Sequence, residues 1–100
     1  MLKTRRSFST EFKLDSAGLV LDKGYSIAEA CEAVGTGHTA MRRWVKQLQA
    51  ERGGVTPAAK AMTTDQQRIQ ELEARIKKIE WEKDILKKAT ALLMEENIIR

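Results

Sequence analysis

Apolar positions recur along this chain with a helical period, and nowhere with the alternation of a strand. Phe12, Ser16, Leu19, Val20 and Lys23 share one helical spacing. Ser9 stands before them as a cap, Glu11 suits the positive end of the dipole, and Phe8 is placed to pack back as a staple. Gly24 ends this first helix, because glycine enters the left-handed conformation without steric cost. Gly18 lies inside it and marks either tolerated drift or close approach by another helix. A capping box, Ser26-Ile27-Ala28-Glu29, opens a second helix with Ile27, Ala30, Cys31 and Val34 inward. Gly35-Thr36-Gly37 makes a turn, and a third helix runs from His38 to Ala50 or Arg52 with Met41, Trp44, Val45 and Leu48 on one face. Residues 53–63, GGVTPAAKAMT, lack periodicity and hold the only proline, which predicts a linker of moderate flexibility. A second capping box is expected at Thr64-Asp65-Gln66-Gln67, followed by heptads to residue 97. The expected architecture is all-α: a three-helix helix-turn-helix module over 1–52, a linker over 53–63 and a coiled-coil helix over 64–97.

Charge changes how the third helix reads. The net charge is +4, and residues 1–52 carry nine Lys/Arg against six acids. That excess suits an anionic partner such as nucleic acid. Part of it lies at Lys3, Arg5 and Arg6 in a short basic N-terminal arm, which is either a DNA-contacting arm or merely disordered. The rest is Arg42, Arg43 and Lys46, which with Thr39 lie away from the apolar stripe of the third helix. Phosphate contact needs only their charge, whereas an arginine can also read guanine O6 and N7 bidentately. His38, at the first turn, either touches DNA or is simply solvated. Trp44 belongs to the core stripe, and Cys31 is expected to be a small buried hydrophobe.

The last segment carries its own logic. With Leu72, Ile79, Leu86 and Leu93 at d, the a positions are Ile69, Ile76, Lys83, Thr90 and Asn97. Ile at a with mostly Leu at d favours two parallel strands, and a polar Lys83 at a discourages larger assemblies. The g–e′ pairs Arg68–Glu73′, Arg75–Glu80′ and Glu82–Lys87′ are all of opposite sign. Ile69, Leu72, Ile76, Ile79, Lys83, Leu86 and Leu93 are therefore the candidate dimerisation residues. Trp81, Ile85, Ala89 and Leu92 form a second apolar strip off that seam, either an edge of a larger assembly or a surface awaiting a partner.

Several chemistries find no support. One cysteine forms no internal disulfide, and one cysteine with one histidine cannot build the usual structural zinc site. No phosphate-binding loop, nucleophile elbow or zinc-protease motif occurs, so neither a cofactor nor enzymatic activity is expected in this chain. No secretory signal or membrane-length apolar run is seen, and a cytoplasmic location is expected.

Four separated motifs occur in order: F-S-x-E-F-K (Phe8–Lys13), G-Y-S-I-A-E-A (Gly24–Ala30), R-W-V-K-Q-L (Arg43–Leu48) and E-x-x-I-L-K-K-A-T-A-L-L-M (Glu82–Met94). Together they resemble the upstream-frame OrfA protein of bacterial insertion sequences whose transposase is encoded in two overlapping frames. The resemblance implies a helix-turn-helix that recognises the terminal inverted repeats, and a leucine zipper that multimerises. It places the catalytic acidic triad in a downstream frame, joined by ribosomal frameshifting, with Lys87-Lys88 as a candidate slippery position. The implied partners are double-stranded DNA of the element ends, a second copy through a parallel coiled coil, and the fused full-length transposase, in the nucleoid of a bacterial cell. Gly37-His38 departs from the Ser-Pro or similar pair common at the start of the recognition helix, and Gly18 replaces a bulkier residue. Two rival readings share the architecture: a dimeric transcriptional regulator, and a coiled-coil adaptor that binds no DNA. Salt dependence of DNA affinity separates the adaptor from the others.

Overall fold

The computed structural model describes residues 7–99, with side chains described through Glu95. The expectations for Lys3, Arg5 and Arg6 lie outside the described residues. Four helices follow in order: α1 (Thr10–Leu21), α2 (Ile27–Val34), α3 (His38–Arg52) and α4 (Thr64–Ile99). No strand is found among the described residues. The chain divides into two compact units, Met1–Arg68 and Ile69–Arg100.

The helix ends follow from the local chemistry of the sequence. Ser9 accepts from the Phe12 amide at 3.0 Å and starts α1. Beyond α1 the Tyr25 amide reaches back to the Leu19 carbonyl, a closure that needs the positive φ of Gly24. The reciprocal capping box of α2 forms, with Glu29 N to Ser26 Oγ at 3.1 Å and Ser26 N to Glu29 Oε1 at 2.9 Å. Those bonds, the Ser26 backbone donor foremost, hold the Glu29 carboxyl below the usual glutamate range. Gly35 ends α2 in the left-handed conformation.

The first unit packs α1, α2 and α3 around Ala17, Ala30, Cys31, Met41, Trp44 and Leu48, with Ile27, Val34 and Val45 half-buried against them. Phe8 stacks on Phe12 at 5.1 Å, and both rings meet Trp44 edge-on at 5.0 and 5.9 Å. Trp44 is thereby a core residue, only 6% exposed. Gly18 makes no close helix approach: an added Cβ would meet only the Asp22 carboxylate, at 3.4 Å.

Residues 53–63 are without helix but are not a loose tether. Ala61 and Met62 are buried, and Met62 joins the core cluster. The cap of α4 also differs from expectation. Thr63, not Thr64, precedes the helix, and its hydroxyl accepts from the Gln66 amide at 3.3 Å. The Gln66 side chain does not reach back to complete the box, because its Oε1 accepts from Thr56 at 2.7 Å. The Thr63 amide goes instead to the carboxylate of Glu51.

Candidate nucleic-acid interface

Helix α3 is divided lengthwise. Met41, Trp44 and Leu48 are buried and Val45 half-buried, while His38, Thr39, Arg42, Arg43 and Lys46 are all exposed. A turn of about 3.6 residues sets Thr39, Arg42/Arg43 and Lys46 on successive turns of the open side. Among the described residues, no carboxylate engages Arg42, Arg43 or Lys46. No side chain caps the start of α3 at Gly37, and its first turn holds no acid. The exposed face therefore begins with an uncapped helix N-terminus, favourable to anions, and continues with three cations.

Other polar groups near this face are committed elsewhere. Gln47 donates to Glu51 Oε2 at 2.7 Å and to the Lys60 carbonyl at 3.1 Å. Ala50 is half-buried, and its carbonyl accepts from Gly53 and Val55. Arg52 grips Asp22 in a two-pronged pair at 2.7 and 2.8 Å, which ties the end of α3 to the end of α1. The hydrogen bond from Arg52 is the main reason the Asp22 carboxyl sits below its usual range.

No motif in the sequence singles out Glu51. It is 4% exposed, and its carboxylate accepts from Met62 N at 3.0 Å, Thr63 N at 2.8 Å, Thr63 Oγ1 at 2.9 Å and Gln47 Nε2. Burial pushes its carboxyl up, but the bonds from Gln47, Thr63 and Met62 together outweigh this and lower it. The available signal was position, since Glu51 extends the stripe Met41, Trp44, Leu48 by one further step of three.

In the second unit, Ile69, Leu72, Ile76, Ile79, Lys83, Leu86 and Leu93 are all exposed on α4, as are Trp81, Ile85 and Leu92. Glu71 and Arg75 approach to 3.6 Å along the helix. No helix of the described residues is long and apolar enough to cross a membrane.

Three short helices, a glycine turn before the third and a basic face opposite its core stripe define a DNA-binding helix-turn-helix module. The model of the transposase family matches residues 2–77, and the chain belongs to that family. It is 48% identical over 90 residues to InsN of insertion sequence element IS911A from Escherichia coli K12, which bears a transposase name; the match covers 90% of this chain and 67% of that protein. InsN of IS911B from the same organism is 46% identical, over 84% of this chain and 96% of the relative. An 11 kDa protein of insertion element IS600 from Shigella sonnei is 30% identical over 96% of this chain and 93% of its own length. No solved structure matches the chain.

Proposed function

We propose that this chain binds the terminal inverted repeats of an insertion sequence as a dimer, presenting one α3 to each site. The observation that carries the reading is the division of α3 into a buried stripe and an open face of His38, Thr39, Arg42, Arg43 and Lys46, within a transposase family. Arg42, Arg43 and Lys46 supply phosphate contact and guanine recognition; Thr39 and His38 complete the surface at the first turn. Arg5 and Arg6 add charge from the N-terminal arm.

Pairing falls to α4. The seam of Ile69, Leu72, Ile76, Ile79, Lys83, Leu86 and Leu93 is exposed in the single chain and apolar at every position but Lys83, the state expected of a helix whose partner is a second copy. Two linked modules gain affinity through effective concentration on paired sites. The chain performs no strand transfer; a downstream-frame partner, or a fused product whose frameshift junction lies near Lys87-Lys88, supplies the catalytic acids. The work takes place on DNA in the bacterial cytoplasm.

A gel shift on the element's own ends against an unrelated duplex of equal length tests this. The expected result is tighter binding to the ends, weakened by Arg43→Ala with Lys46→Ala while the oligomeric state is unchanged. Equal affinity for both duplexes would overturn recognition of the ends.

A further inference from the structure

We propose that Glu51 is a positioning residue for paired DNA sites: its carboxylate fastens the start of α4 to the end of α3, so the latch sets the tolerated separation of two sites. This deepens, and rests on, the reading in which α3 contacts DNA and α4 pairs two copies. A segment with two adjacent glycines and only one proline, left free, would act as a slack tether and accept many separations with similar affinity.

The bonding of residues 53–63 is not that of a tether. Met62 N, Thr63 N and Thr63 Oγ1 all donate to the Glu51 carboxylate. Gln47, one turn earlier on α3, bridges Glu51 to the Lys60 carbonyl. From the other side, Gln67 Nε2 reaches the Ala61 carbonyl at 3.0 Å and Thr56 reaches Gln66. Thr63 is the residue that starts α4, since its hydroxyl accepts from the Gln66 amide. One carboxylate on α3 therefore holds both the amide and the hydroxyl of the α4 cap.

The chemistry of the position favours a directional role. An apolar residue at 51 would continue the core stripe and avoid the cost of burying a carboxylate. It would also leave the Met62 and Thr63 amides without these acceptors. Glu51 lies five residues beyond Lys46, about 7.5 Å along α3, on the buried side of the helix. The element that meets DNA and the first turn of the pairing helix thus share one fastening, and the compact unit extends to Arg68, past the start of α4.

The experiment measures anisotropy of the full chain on duplexes carrying two element ends, with their separation stepped by single base pairs over a helical turn. A duplex with one end provides the reference and reports that the module is folded. The wild type is expected to favour one phase over the opposite one by on the order of tenfold, and Glu51→Ala to flatten this to within about threefold. One-end affinity should be unchanged, which a merely destabilised module would not show. Thr63→Ala, which removes the hydroxyl arm and with it the α4 cap but keeps the amide bond to Glu51, serves if Glu51→Ala does not fold, and is expected to flatten the profile in the same direction. A Gly-Ser-Gly-Ser insertion between Ala58 and Ala59 leaves the latch residues in place and should preserve the profile. A flat wild-type profile, variants that keep the wild-type profile, or an insertion that abolishes it would each overturn the proposal. If the wild type binds two ends no more tightly than one, the pairing reading itself fails, and the latch proposal with it.

Discussion

A buried glutamate and a half-buried glycine show how unevenly single residues contribute here. Replacing Glu51 with Ala leaves backbone donors at Met62 and Thr63 without acceptors, at a cost of about 2–3 kcal/mol; chemical denaturation of the variant measures it. Gly18 runs the other way, because its α1 site has room for a Cβ, which would meet the Asp22 carboxylate at 3.4 Å, an ordinary van der Waals contact. Gly18→Ala should raise stability by up to about 1 kcal/mol in the same assay. Acid should act through the lowered carboxyls of Glu51, Glu29 and Asp22. A carboxyl depressed on folding binds its proton more tightly in the unfolded chain, so its stabilisation is full above the ordinary range and lost as pH falls through the folded value. Thermal melts should therefore decline on acidification below about pH 4.5, the ordinary glutamate value, and Glu51→Gln should shallow that decline. An unchanged pH profile in the variant would remove Glu51 from the explanation.

At the scale of elements, what was legible depended on the range of the interactions. The Ser26–Glu29 box, the Ser9 cap and the Gly24 and Gly35 ends are local, so the sequence carries them in full. The faces of α3 were equally readable, since a stripe of Met41, Trp44 and Leu48 dictates which side remains open. The docking of 53–63 was not, because most of its hydrogen bonds join residues ten or more positions apart, and no motif marks which residues pair. The α4 cap was displaced to Thr63 for the same reason: a distant carboxylate took the place that Gln66 would have filled. For α4 itself the expected test is Ile79→Glu with Leu86→Glu, both exposed d positions of the proposed seam. Charges at facing d positions should convert a dimer to a monomer in sedimentation while helicity of the first unit persists; an unaltered oligomer would reject the seam.

For the molecule as a whole, the division of labour is between a compact unit that offers cations and a helix that offers apolar surface. Most of the candidate DNA surface was readable from residue types at helical spacing, but what fastens α3 to the start of α4 was not. Phosphate neutralisation by α3 is the central claim, and it has a direct thermodynamic signature in counterion release. The decisive measurement is the affinity of the full chain for a duplex of its element's end across a series of salt concentrations, beside the Arg42→Ala, Arg43→Ala, Lys46→Ala triple variant. A linear fall of log affinity with log salt is expected, its slope shallower in the variant by about one for each phosphate-contacting charge removed. An affinity indifferent to salt, or a slope the variant leaves untouched, would contradict DNA binding through α3.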